Sequence, residues 1–271
     1  MKIILSRKGF DSEAGGCASP ILPDGTMLSM PIPSESDNYK YIKLITPSGN
    51  TYEEILQNLN PKETYNTCHL DPDIRKGIRP TPPGWVPAFG QVDAAQTHLD
   101  NQDVKKGDLF LFFGWYRKTE YVDGKLRFIR NAPDIQAIYG YLQIGEVLKG
   151  LDVKKCPWHP HAEDSHIYNK KGEITNNTIY VASDSLVIDD IKTNFPGAGV
   201  LPFSESRVLT AEGNSRTRWK LNDLFETVDL SYHDRKKCIK DNYFQSRPRG
   251  QEFVFDEDQK AIEWAKKMIF T

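Results

Sequence analysis

The stretch "GDLFLFFGWYR" (residues 107–117) decides the fold. A Gly-Asp turn opens it, and Leu109 to Phe113 then run without a polar break. So short and aromatic a run, bounded by a turn, reads as a buried strand. Working outward, "KLRFIR" (125–130) alternates like a second strand. "AIYGYLQIGEVLKG" (137–150) reads as one long bent strand or two, with Gly140 and Gly145 expected to mark bulges or a barrel corner. "NTIYVAS" (177–183) and "SRVLT" (206–210) add strands, as do Ile3-Ile4-Leu5 and "NYKYIKLIT" (38–46) towards the N-terminus.

Helices sit at the margins. In "TYEEILQNL" (51–59), Thr51 and Glu54 make a capping box, and Tyr52, Ile55, Leu56 and Leu59 form one apolar stripe. "VDAAQTHL" (92–99) reads as a second helix. "DEDQKAIEWAKKMI" (256–269) reads as the last, with Asp256 and Gln259 as its cap pair. Proline crowds residues 20–33 and 80–87, where it fixes φ and predicts pinned loops. The order is α+β: a β-rich centre with short flanking helices and a C-terminal helix. The chain reads as a single domain over 1–271, or as an N-terminal lobe (1–100) packed on a β-rich lobe (101–271).

Lys and Arg number 35 against 37 Asp and Glu, a net charge of −2, which argues against a strongly nucleic-acid-coating surface but does not exclude a local basic groove. No apolar run approaches the length that spans a bilayer, and no membrane partner is expected. Cys17, Cys68, Cys156 and Cys238 are scattered with no C-x-x-C pair, so reduced thiols and a cytoplasmic setting are expected.

Several stretches together resemble the family called nucleotide modification associated domain, type 3. They are "ILSRKGFDSEAGG-ASPI-PDG---SMPIP" (4–33), "HLDPDIR" (69–75), "GQ--AAQ-HL" (90–99), "GDLFLFFGWYR" (107–117) and "IYGYLQIGEV" (138–147). The resemblance implies a place in systems that chemically modify DNA bases, and carries no reaction with it. Within it, the Gly-Asp turn, apolar strand, hairpin and "YGYLQIGEV" are similar to the small β-barrels of the PUA and EVE type, which pocket a nucleobase.

Four constellations could carry chemistry. The first follows the N-terminal strand: Ser6, Arg7 and Lys8, then Asp11, Gly15 and Gly16. Arginine and free backbone N–H groups suit a phosphate, and glycines let backbone approach it, although the P-loop order is absent. Asp11 could orient Arg7 or act as a base. The bland reading is a solvated surface turn. The ligand reading expects Arg7 and Lys8 to be dispensable for stability.

The second is "CHLDPDIR" (68–75), where His69, Asp71 and Asp73 share a face on an extended segment and suit acid–base work or a metal. Pro72 argues against that shared face, and the alternative is a capped turn. The third, "WHPHAEDSH" (158–166), gathers His159, His161 and His166 but has neither a thiolate pair nor H-E-x-x-H, so a polar loop is preferred and no metal ligand is expected. The fourth is "GNSRTRW" (213–219) with "SRPRG" (246–250), placing Arg216 and Arg218 on one strand face beside Trp219, while Trp115 and Arg117 close the central strand.

The expected function is action on a nucleotide, or on a base in DNA, with Asp11, His69 and Asp71 as candidate catalytic groups. Ser6, Arg7, Lys8, Gly15, Gly16, Trp115, Arg117 and Arg216 are the candidate ligand contacts. The alternatives are a non-catalytic reader of a modified base and a scaffolding subunit. No G-x-G-x-x-G follows a strand, so no cofactor is named. Chemistry is separated from reading by whether His69, Asp71 and Asp11 enter the same cavity as Arg7.

Overall fold

The protein is described from a computed structural model, which describes residues 1–248 and 250–271. Arg249, part of the "SRPRG" stretch, lies outside the described residues. One mixed sheet of nine strands organises the chain. We label them β1 (Ile3–Arg7), β2 (Ser19–Ile21), β3 (Ala88–Gln91), β4 (Leu109–Val122), β5 (Lys125–Phe128), β6 (Ile135–Lys149), β7 (Thr178–Ala182), β8 (Ala198–Val200) and β9 (Glu252–Val254). The main path runs β9-β1-β4-β6-β7-β3, with β2 and β5 pairing β4, and β8 pairing β6. β1 and β2 lie parallel to β4, and the remaining pairs are antiparallel.

The apolar run in β4 has a direct cause. Leu109, Leu111 and Phe113 face a core completed by the C-terminal helix Gln259–Phe270 and Trp219, while Phe110 and Phe112 face a second core with Phe89 and Tyr180. A strand covered on both faces has no polar positions to alternate with. The β4–β5 hairpin turns through Asp123 and Gly124, both at positive φ, a turn whose twist suits a two-residue connection. A third cluster around Phe10, Tyr41 and Tyr52 includes the helix Tyr52–Leu59, whose Thr51–Glu54 capping box is formed in both directions.

β6 is one continuous strand. Its register shifts where Phe112 gives way to Phe113 on β4, beside Gly140, and again between Ile144 and Glu146, at Gly145. A Cβ on Gly145 would meet the Ser183 backbone at 2.7 Å. Such bulges increase twist and curl the sheet. The sheet nevertheless does not close as a PUA or EVE barrel would. Among the described residues no ladder joins the end strands β9 and β3. Instead Gln91 spans the seam with its side chain, donating to Gln251 Oε1 at 3.1 Å and to Glu252 Oε1 at 2.7 Å.

Three local expectations are corrected. Residues 38–46 form only the two-residue strand Tyr39–Lys40 and then a 3-10 turn at Tyr41–Lys43, since the buried residues Tyr41 and Leu44 are three apart. Residues 206–210 are a 3-10 turn, Glu205–Arg207, followed by isolated bridges at Val208 and Thr210. The last helix is capped by Asp258, not Asp256, because Phe255 bridges Leu230 and Asp256 donates its N–H to Asp229, keeping the chain extended there. The four cysteines are unpaired, and among the described residues no helix is long and apolar enough to cross a membrane.

Candidate functional site

The open seam of the curled sheet is where the principal cavity lies. It encloses about 650 Å³, and its wall includes Gly90, Gln91 and Val92 from the β3 end and Gly250 and Gln251 from the β9 end. β1 delivers Arg7 and Lys8 to it, the following loop adds Asp11, and the segment around His69 forms another wall. That volume falls within the range of small-molecule sites.

One end of the cavity carries cations. Arg7 is clamped by backbone: Nη1 donates to Pro248 O at 2.6 Å and Nη2 to Arg247 O at 2.7 Å. Burial pulls its pKa below the ordinary value, opposed by the charge of Asp11. Lys8 is not a solvated cation. Its side chain is 8% exposed, pairs with Glu252 Oε1 at 3.1 Å and lies 4.4 Å from the centre of the Phe89 ring. Glu252 is 1% exposed and also accepts from Ser6 and Gln91. Arg216 differs from both. Its guanidinium stacks 3.8 Å from the centre of the Trp115 ring and has no hydrogen-bond or ion-pair partner among the described residues. Trp115 is held in turn by Asp134, which accepts its indole N–H at 2.9 Å.

The other end is built from imidazoles and carboxylates. His69 Nε2 and His161 Nε2 face each other at 3.2 Å. Behind them, His69 Nδ1 lies 3.1 Å from Asp37 Oδ2, and His161 Nδ1 lies 2.7 Å from Asn177 Oδ1. Asp37 also receives His166 Nε2 on its other oxygen at 3.2 Å. Burial alone would raise the Asp37 carboxyl, but the hydrogen bonds from His166, His69 and Ser34 hold it well below the usual carboxylate range. Asp71 shows the same balance: burial raises it, while His159 and then the charge of Lys8 bring it far down. Its Oδ1 accepts the Gly90 N–H at 2.7 Å and lies 3.3 Å from His159 Nε2. Burial pushes His161 well below the ordinary imidazole value, with Asp71 opposing.

Several residues singled out in the sequence therefore meet here. Arg7, Lys8, Asp11, His69, Asp71, Trp115 and Arg216 all line the one cavity. Four others do not. Ser6 is buried and spent on Glu252, and Arg117 donates to the carbonyls of Ile129 and Arg130. Gly15 turns the chain at positive φ where a Cβ would strike the Phe10 ring at 2.2 Å, and Gly16 turns it with open space around it. Asp11 accepts the N–H groups of Glu13 and Ala14, so it shapes its own loop and is not bonded to Arg7. Asp73 turns away to Arg79 and Trp85. Arg218 starts the strand Arg218–Lys220 and lies over Tyr243, while Arg216 sits in the turn before it and lies over Trp115, so the two do not share a strand face.

Sequence reasoning missed Asp37, and it set His161 and His166 aside as a polar loop. Asp37, His69 and His161 are separated by 32 and 92 positions, so only the fold brings them together. The one available signal was the density of histidines in 159–166.

Fold and site together define a class: an α+β protein with a curled, unclosed mixed sheet whose seam holds a cavity with guanidinium at one end and imidazole and carboxylate at the other. The chain belongs to the family nucleotide modification associated domain 3, whose pattern it matches over residues 2–256. No curated protein and no solved structure matches it.

Proposed function

We propose that the cavity binds a nucleotide, or a base presented from DNA, and that the protein acts on it chemically in a base-modification pathway. The family supports a role connected with nucleotide modification. The observation that carries the reading further is that Arg216 on Trp115 shares one cavity with His69, Asp71 and His161. An arginine without a partner can pair with phosphate through its fork, and its plane offers a stacking face for a base. Aromatics and amides, here Trp115, Gln91, Gln136 and Gln251, would suffice to read a base. The charged and titratable groups at the far end support chemistry instead.

Within that reading the roles divide. Asp71, held far below the usual carboxylate range, stays ionised and is a poor proton acceptor near neutral pH. It suits electrostatic or ligating work. His69, whose ring reaches the cavity while Asp37 fixes its other nitrogen, offers Nε2 there as a lone-pair donor. Asp11 keeps the loop in shape.

The test is a panel of nucleoside mono- and triphosphates and short single- and double-stranded DNA, read by calorimetry and by mass spectrometry of the recovered material. At least one member is expected to bind with one site per chain. Arg216→Ala should weaken it about tenfold, one charge-assisted hydrogen bond being worth about 1.5–3 kcal/mol. A panel with no binder, or binding that Arg216→Ala leaves unchanged, removes the reading.

A further inference from the structure

We propose that His69, His161 and Asp71 form a site for one divalent transition-metal cation in the wall of the cavity. The ligand-bearing atoms of these three residues lie within 4.8 Å of one another. Two imidazole nitrogens, each about 2.0–2.1 Å from one ion at octahedral to tetrahedral angles, stand about 2.8–3.4 Å apart. The observed separation of His69 Nε2 and His161 Nε2 is 3.2 Å.

The hydrogen bonds behind the rings fix what those nitrogens carry. Asn177 Nδ2 donates to His161 O at 2.7 Å, which orients the amide so that its oxygen faces His161 Nδ1. An amide oxygen only accepts, so Nδ1 bears a proton, and in the neutral ring Nε2 presents a lone pair. Asp37, a carboxylate, does the same for His69 by accepting from Nδ1. With both rings neutral, two lone pairs point at one another, and a shared cation resolves that opposition. Partners of this kind commonly orient metal-binding histidines.

Asp71 completes the set. Its Oδ1 is engaged by Gly90 and close to His159, while Oδ2 has no protein partner among the described residues. All three residues line the cavity, so the remaining coordination positions open towards it, as in catalytic rather than structural sites. The donors are two nitrogens and one oxygen with no thiolate, which suits zinc, iron(II), cobalt(II) or manganese(II) more than a soft ion. A neighbouring group, Asp37 with His69 and His166, is also compact. However, each Asp37 oxygen already receives one imidazole N–H, and Asp37 does not line the cavity. Asp37 is a positioning residue.

The experiment uses the full chain, stripped with chelator and then titrated with cobalt(II), read by its visible absorption, and with zinc(II), read by calorimetry. No nucleotide is present, so this proposal and the nucleotide reading can fail separately. One ion per chain is expected. His69→Gln and Asp71→Asn should each weaken uptake about tenfold or more with far-ultraviolet circular dichroism unchanged, and His166→Gln should weaken it less. X-ray absorption of the unmutated zinc-loaded protein needs no folded variant and should count two imidazoles. Absence of uptake by the folded wild type, uptake that His69→Gln and Asp71→Asn leave intact, or a thiolate-bound zinc would each overturn the site.

Discussion

The two ends of the cavity were built from opposite kinds of sequence. Arg7, Lys8 and Asp11 are adjacent, charged and conspicuous, yet the fold spends most of them: Arg7 on two carbonyls, Lys8 on Glu252, Asp11 on its own turn. The histidine end is assembled from positions 37, 69–71, 159–166 and 177, which only the fold brings together. Its second-row partners leave lone pairs facing the cavity. Charge in a sequence marks where ions are, whereas availability for a ligand depends on which partners have already claimed them.

That contrast breaks first at Lys8. If the cation end is largely architecture, Lys8→Ala strands the buried Glu252 carboxylate and should cost about 3–5 kcal/mol in urea denaturation. The double change Lys8→Met with Glu252→Gln should recover much of it. A cost below about 1 kcal/mol for Lys8→Ala, typical of a surface ion pair, would return Lys8 to the solvated side.

Beneath the cation end lies a histidine of its own. His233 accepts the Arg247 N–H and donates to Ser231 O, among Phe244 and Phe253. Burial, opposed by the Ser231 bond and helped by the charges of Arg247 and Arg7, lowers it to about 4. The folded value lies below the unfolded one of about 6.5, so His233 withdraws nothing above that pH. As pH falls towards 4 the unfolded chain gains a proton that the folded chain refuses, and stability drops by about 3 kcal/mol. Denaturation midpoints of wild type and His233→Gln across that window should show a shallower slope in the variant; parallel slopes would contradict it.

The histidine end is sharpened by Gly90→Ala. A Cβ there would meet the His161 ring at 2.3 Å and displace the imidazole. Cobalt affinity should fall about tenfold or more while Arg216 keeps its place; unchanged affinity would mean His161 is not a ligand. The smallest effect on stability belongs to Arg216→Ala. It removes one stacking contact worth about 0.5–1 kcal/mol, and thermal denaturation should shift little even as nucleotide affinity falls. A large loss of stability would move Arg216 to the architectural side with Lys8.

Local periodicity carried the parts of the fold that local physics controls. The Thr51–Glu54 box, the doubly buried run 109–113 and the glycine bulges of β6 were all legible because neighbours in sequence determine them. The cap at Asp258 was not, since a bridge from Leu230, distant in sequence, keeps Phe255 extended. Barrel closure was not legible either, because it depends on whether β3 and β9 meet through backbone or through Gln91. The same holds at the site. Arg216 and Trp115 were readable as residue types suited to a nucleotide, but their stacking on each other was not. Asp37 carried no signal, because a lone Asp takes on meaning only when two imidazoles arrive at it.

The central claim is that a ligand held in the cavity with Arg216 meets two imidazoles whose Nε2 atoms are unprotonated. Histidine ring-nitrogen NMR of the metal-free protein at pH about 8.5, above the ordinary imidazole range, reads this directly, with and without a saturating nucleotide that binds. The account predicts protonated Nδ1 and bare Nε2 on both His69 and His161, and Nε2 resonances that move when the nucleotide is added. A proton found on either Nε2, or resonances that a saturating nucleotide leaves unmoved, would contradict it.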